Sequence, residues 1–291
     1  MYLLLKLLSQ LPLSILYFLA RGIALLIMLM PNATMRRVIH VNLRLAYPNL
    51  SNMQREILEK ASVYSQFFST VESIKSWGMP TSYSVKQIHH VYDAEILTNA
   101  LKNPNGVIAV VPHFGTWEMM NAWLNQFASP VIMYKPSKNL AVDRFMLEAR
   151  QRLNATLVPT DESGVRAIFR ALKQGGFTAI LPDHVPDHSG GIYSDFMGQR
   201  VLTTTLVSKL AQKTQCSVVG LSCIRRNDGL GFDIVCDLID PQISSKNLQV
   251  SVDTLNSEIK RIIGRAPEQY MWGYKRFKQL ENKQQVYKKS I

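Results

Sequence analysis

Cysteine is scarce in this chain of 291 residues: Cys216, Cys223 and Cys236 are the three, with no C-x-x-C among them. An odd number of thiols set in apolar surroundings speaks against a disulfide framework and reads as buried, reduced cysteine, with a reducing compartment around the globular part. Acidic residues are also few. Asp and Glu number 21 against 33 Lys and Arg, a formal charge of +12, so acidic partners are expected: anionic lipid, a phosphorylated glycolipid, an acidic carrier protein or nucleic acid. The basic residues are dispersed, and no nucleic-acid motif or stacking array accompanies them. A nucleic-acid or anionic-lipid binding module with no catalytic role is therefore disfavoured, and no nucleic-acid partner is expected. Internal repeats, low-complexity tracts and interdomain linkers are missing too, which leaves one domain with a substantial core and room for an added anchor.

Long hydrophobic runs are limited to one. From Leu11 to Met30 the chain is almost wholly apolar apart from Ser14 and Arg21, which matches the roughly 20 residues that span a bilayer. Pro12 is placed to open that helix. A central arginine costs about 2.5 to 3.5 kcal/mol on insertion scales, so the segment either spans with Arg21 snorkelling or lies in the membrane interface. Met28-Leu29-Met30-Pro31 offers no small-residue cleavage pattern, against a signal peptide. Arg36, Arg37 and Arg44 follow the segment, against Lys6 before it, which puts the rest of the chain on the cytoplasmic side. The expected division is an anchor helix over 1–31 and a single α/β domain over 32–291.

The stretch around which the rest is organised is Val107-Ile108-Ala109-Val110-Val111-Pro112-His113-Phe114-Gly115-Thr116-Trp117-Glu118. Its first half reads as a buried strand, Pro112 stops it, and Thr116 can cap a helix starting at Trp117. His113 then sits at a strand's carboxyl end, where open α/β sheets bind ligands. On one continuous helix His113 and Glu118 would lie about 140° apart, but a strand, a turn and a new helix can fold the carboxylate back onto the imidazole. That pairing suits a base oriented by an acid: Glu118 fixes the tautomer of His113, which takes a proton from a hydroxyl. Gly115 would let backbone approach the reacting centre.

Elsewhere, Ser51-x-x-Gln54 reads as a capping box opening a long amphipathic helix, with Met53, Ile57, Tyr64, Phe67, Phe68, Val71 and Ile74 as its core-facing stripe. Strands at 130–134, 157–159 and 177–181 alternate with helices at 142–153 and 165–172. Later strands at 217–224 and 232–235 flank an Asp228-Gly229 hairpin signal. The fold class is therefore α/β, a mixed, mostly parallel central sheet flanked by helices, with an N-terminal hydrophobic anchor helix. The Gly/Ser stretch near 189–191 reads as a site loop.

These motifs resemble the late lipid A acyltransferases, the lauroyl and myristoyl transferases of Gram-negative bacteria within the lysophospholipid acyltransferase-like superfamily. His113-x4-Glu118 is similar to their His-x4-Asp/Glu, and Tyr134-Lys135-Pro136-Ser137-Lys138-Asn139 to Tyr-Arg-Pro-x-x-Asn, with lysine in place of the bidentate arginine. Pro182-Asp183-His184, Asp195-Phe196-Met197-Gly198 and the run from Thr203 to Thr205 follow the order of Pro-Asp-Gln, Phe-Phe-Gly and a Thr-rich helix start. Pro267-Glu268-Gln269-Tyr270-Met271-Trp272-Gly273-Tyr274-Lys275-Arg276-Phe277-Lys278 resembles the carboxyl-terminal block, with Tyr274 replacing a histidine. Leu181-Pro182-Asp183-His184 stands where the glycerol-3-phosphate branch has Phe-Pro-Glu-Gly-Thr-Arg, which disfavours a phosphoglycerol acceptor.

The resemblance implies transfer of a lauroyl- or myristoyl-length chain from acyl carrier protein, with acyl-coenzyme A as the other donor of that class, to a hydroxyl of a phosphorylated glycolipid, the lipid A precursor. It places the enzyme at the cytoplasmic face of the inner membrane and calls for no cofactor and no metal. Gly115, Lys135, Asp183 and Arg276 are the expected substrate-binding residues. Asp183 would bind the acceptor or, preferably, brace its loop; Lys135, Lys275, Arg276 and Lys278 would attract acidic groups. Oxyanion donors would be backbone amides at the start of the helix after Gly115, or a basic side chain. Other glycolipid or aminolipid acceptors are the alternative within this chemistry. Outside it, Asp183, His184, Asp187 and His188 with His113 and Glu118 supply metal-ligand types for a hydrolase, although Pro182 and Pro186 break any single helix that would align them.

Overall fold

A computed structural model describes residues 1–30 and 32–288, so the expected domain boundary at residue 31 and the end of the domain, 289–291, lie outside the described residues. In chain order the elements are α1 Tyr2–Gln10, α2 Leu13–Leu29, α3 Thr34–Ala46, α4 Asn52–Gly78, α5 Thr81–Lys86, β1 Ile88–Tyr92, α6 Ala94–Ala100, β2 Val107–Val110, α7 Trp117–Leu124, β3 Val131–Met133, α8 Leu140–Arg152, β4 Thr156–Val158, α9 Glu162–Lys173, β5 Phe177–Ile180, β6 Gly191–Phe196, β7 Gln199–Thr204, α10 Leu206–Thr214, β8 Ser217–Arg225, β9 Phe232–Leu238 and α11 Leu248–Ile263. The main sheet runs β1-β9-β8-β2-β5, with only β8 and β9 antiparallel. The mixed, mostly parallel sheet flanked by helices is thus present.

All four residues of β2 are buried, as a strand covered on both faces must be. Ile108 and Val110 pack with Ile168 and Leu172 of α9 and Leu255 and Ile259 of α11. Val107 and Ala109 face Leu97 of α6 and Met119 and Trp123 of α7. Short strands β3 and β4 pair in parallel, and a bridge from Pro130 to Phe177 sets them beside β5.

Three expectations change. The glycine-rich stretch leads into an antiparallel hairpin, β6 and β7, whose two-residue turn Met197-Gly198 has φ of 54° and 80°, the doubly positive geometry that matches strand twist. The capping box at Ser51 and Gln54 forms, but α4 buries a polar face, Glu59, Ser62, Ser65, Ser69, Glu72 and Lys75, while Met53 and Ile57 are exposed. The reason is ionic. Arg36 and His40 of α3 pair with Glu59, Arg225 of β8 pairs with Glu72, and Lys75 donates to the carbonyls of Ser9 and Leu11.

The amino terminus is the third. Pro12 opens α2 as expected, but the single anchor helix expected over 1–31 is two helices, α1 and α2, which meet at 120°, and no single helix among the described residues is long and apolar enough to cross a membrane, although the bent pair has the length and composition. With 17 residues, α2 reaches about 25 Å against a hydrocarbon core of about 30 Å. Its Leu16, Ala20 and Ala24 are buried against the protein, whereas Phe18, Ile23, Leu26 and Leu29 are exposed. Arg21 lies over the ring of Phe68 at 5.5 Å.

Candidate active site

Two neighbouring strands build the site. β2 and β5 are parallel and paired residue for residue from Val107 opposite Phe177 to Val110 opposite Ile180. Each then runs on through one aliphatic residue and a proline, Val111-Pro112 and Leu181-Pro182, so the same register carries His113 and Asp183 to adjacent places beyond the sheet's carboxyl edge. Asp183 Oδ1 lies 2.8 Å from His113 Nδ1, and Oδ2 accepts the His113 backbone N–H at 3.0 Å. Both carboxylate oxygens thus hold one residue. Burial alone would raise the Asp183 carboxyl, but the imidazole and amide of His113 hold it well below the usual carboxylate range. An ionised Asp183 at Nδ1 places the ring proton there and leaves the lone pair on Nε2.

Glu118 does not orient His113, contrary to the pairing expected from the motif. It opens α7 as expected, but there its carboxylate accepts from Arg150 Nη2 at 2.6 Å and from Asn121 Nδ2 at 2.9 Å. Parallel pairing brings β5 closer to His113 than a turn of the same segment does. Asp183 accordingly takes the bracing role, with His113 itself as the thing braced. The sequence signal was the repeated aliphatic-Pro step after two buried strands.

His184 is stacked face to face on His113, centroids 3.9 Å apart with planes within 4°, and Tyr274 covers its other face at 3.9 Å. The Tyr274 hydroxyl accepts the Val185 N–H at 3.0 Å and pins the stack. Coverage of both ring faces, then the neighbouring His113, push the His184 pKa down to about 4, so it is neutral at physiological pH. Trp117 meets the His113 ring edge-on at 5.2 Å.

His113, His184, Glu118, Arg150 and Lys135 open on one cavity of about 610 Å³, otherwise lined mainly by apolar side chains such as Leu124, Met133, Met146 and Leu206. The shape suits a hydrocarbon chain with polar groups at one end. A family model described as bacterial lipid A biosynthesis acyltransferase matches residues 1–279. The chain belongs to that family. Among similar proteins are the lipid A biosynthesis lauroyltransferase of Escherichia coli (strain K12), 24% identical over 92% of this chain and 87% of that enzyme, and the palmitoleoyltransferase of the same strain, 26% identical over the same shares. The myristoyltransferase of that strain is 23% identical over 81% of this chain and 73% of its own length. The protein is an acyltransferase, and acyl transfer in lipid A biosynthesis, onto a lipid A precursor, is its function at that level.

Two more of this acyltransferase's expected substrate contacts, Gly115 and Arg276, do other work, as Asp183 does. Gly115, at φ 63°, faces β8: an added Cβ would run into the carbonyl of Cys223. The Gly115 amide donates to Gln269 O and the Thr116 amide to Cys223 O, so neither is an oxyanion donor. Thr116 takes the N-cap position but its hydroxyl goes to Glu72 rather than to the helix. Arg276 is 1% exposed; it donates to Leu202 O and the Thr203 hydroxyl at 2.9 Å each and lies over Phe196. It ties the carboxyl-terminal block to β7 and is not among the residues lining the cavity. Lys135 is exposed at the cavity. The metal alternative lacks convergence: among the described residues no group of three or more His, Cys, Asp or Glu side chains could hold an ion. Sequence reasoning missed Arg150, because nothing near it in sequence points to Glu118, and it named His184 beside His113 only as a metal-ligand candidate, not as the ring stacked on it.

Proposed function

We propose that this acyltransferase moves a fatty acyl chain of lauroyl to myristoyl length from acyl carrier protein to a hydroxyl of the lipid A precursor, with His113 as general base. His113 Nε2 takes the hydroxyl proton as the oxygen attacks the thioester carbonyl. The C–S bond then breaks, and the same proton leaves on the carrier thiol. Asp183 orients the ring and stabilises the imidazolium between these steps. The observation that carries this reading is the buried carboxylate held on both Nδ1 and the amide of a histidine whose ring opens on an apolar cavity.

Glu118 acts in this proposal through Arg150. The ion pair fixes a guanidinium on the cavity wall, where it and Lys135 are the cations available to the developing oxyanion. The exposed apolar faces of α1 and α2, with Leu3, Leu7, Phe18 and Leu26 among them, support anchoring at the cytoplasmic face of the inner membrane by a helix pair lying in the interface, where acceptor and acyl chains reside.

The test is transfer from labelled acyl carrier protein thioesters of several chain lengths to tetra-acylated lipid A precursor, with and without chelator. Chelator-insensitive incorporation that disappears in His113→Ala is expected. Full incorporation by His113→Ala would overturn the mechanism, and chelator-sensitive hydrolysis in its place would revive the metal reading.

A further inference from the structure

Apart from the cavity, the described residues form a concave surface with basic side chains on both rims. α9 and α10 pack side by side. On α9, Arg166 and Arg170 stand four residues apart; on α10, Lys209 and Lys213 do the same, and all four are exposed. That interval sets each pair on one helix face. Between the rows runs a groove of about 510 Å³ floored by Val165, Phe169, Leu206 and Leu210. Among the described residues only Arg166 of the four has an ionic partner, Glu162 at 3.4 Å, itself almost fully exposed. Three cations thus face solvent beside an apolar trough, an arrangement that contributes little to this fold and much to a partner of opposite charge.

The groove and the active-site cavity share a wall residue. Leu206, the first residue of α10, lines both the groove and the His113 cavity. We propose that the α9–α10 groove is the docking surface for the acyl donor: a small acidic protein that lays a helix, with an apolar ridge flanked by carboxylates, between the two basic rows. Its acyl chain, on a thioester arm, enters the cavity over Leu206. This rests on the carrier-protein reading above. A bilayer is a poorer occupant, because a flat surface does not fill a trough between two helices, and the exposed apolar rows suited to lipid belong to α1 and α2.

The experiment compares wild type with K209E/K213E and with R170E, each given two donors: the carrier-protein thioester, and acyl-pantetheine, which has the thioester but neither protein nor charge. For the carrier donor, KM is expected to rise on the order of tenfold or more in the double variant, with kcat little changed and the salt dependence weakened. Turnover of acyl-pantetheine should stay at the wild-type level, which also shows that the variant is folded. An unchanged KM for the carrier overturns the surface, as does an equal loss with both donors. Loss of binding to vesicles containing anionic phospholipid, with carrier KM unchanged, would reassign the patch to the membrane and overturn it as well. Wild-type enzyme that transfers from acyl-pantetheine but not from the carrier thioester would sink the carrier reading itself, a result distinguishable from all of these.

Discussion

The two walls of the cavity are built on opposite electrostatic plans. On one, His113, His184 and Tyr274 form a stack of rings with a buried carboxylate, Asp183, behind it. On the other, Glu118 and Arg150 form an ion pair with 6% and 12% of their side chains exposed, and Lys135 stands free at the rim. The ring wall fixes the His113 tautomer with one carboxylate and covers the ring with a neutral His184, the arrangement that the proposed proton transfer uses. The ionic wall holds a positive charge close to apolar surface, which is what a developing oxyanion requires. The same chemical group, a carboxylate, serves two ends because Asp183 has a histidine across a parallel strand pair and Glu118 an arginine from the end of α8.

Breaking the ring wall should have the largest effect. His113→Ala is expected to lower kcat by about 10² to 10⁴-fold and, because it leaves the buried Asp183 without its imidazole, to lower the melting temperature as well; a stopped assay of carrier thioester turnover, run well below that melting temperature, reads the catalytic loss. Asp183→Asn keeps the shape but removes the charge and offers His113 an amide; a loss of about 10²-fold or more is expected, and a variant with unaltered kcat would remove Asp183 from the mechanism. On the ionic wall, Glu118→Ala or Arg150→Ala leaves one buried charge unpaired and should cost about 3 to 5 kcal/mol of stability. The double variant should cost less than the sum, as a denaturation cycle would show.

The comparison can be sharpened with His184. Its pKa is depressed in the folded state, so in acid the unfolded chain binds a proton that the native chain refuses. Nothing is lost above about pH 6.5, the free imidazole value; stability should fall as pH drops from there and level off near 4. His184→Gln should flatten that part of the melting-temperature profile, while the loss below pH 4 from Asp183, whose folded pKa is also depressed, remains. An identical slope in both proteins between pH 6.5 and 4 would contradict the stacked, neutral ring. Tyr274→Phe is the mildest change: it removes the acceptor for Val185 N–H, about 1 kcal/mol, and leaves the stacking ring.

How much of this was legible depended on the range of the cause. Strands β2, β3, β4, β5, β8 and β9 and helices α8 and α9 were readable within a residue or a few, because each announces itself through local periodicity and punctuation. The His113–Asp183 pair was not read, since register between parallel strands is a relation across 70 residues. Even so, Val111-Pro112-His113 and Leu181-Pro182-Asp183 carried the hint. The polar buried face of α4 was unreadable for a similar reason: Glu59, Glu72 and Lys75 look solvated until Arg36, Arg225 and the Ser9 carbonyl arrive from elsewhere. Met197 at positive φ hid the β6–β7 hairpin, which Asn-Gly or Asp-Gly would have advertised. Pro12 marked the start of α2, but α1 before it went unread, because Tyr2–Gln10 is too short a stretch to stand out from the apolar run that follows.

The three cysteines give the experimenter a clock. Cys216, Cys223 and Cys236 are all buried and free, and burial raises each thiol, Cys236 up to about 12. An alkylating reagent needs an exposed thiolate, so the native enzyme should react at almost none of its thiols, and labelling should begin only when the sheet opens. The rate of alkylation then reports how often β8 and β9 come apart. It can be read by mass in vesicles or detergent, where the scattering and absorbance of lipid defeat optical melting curves.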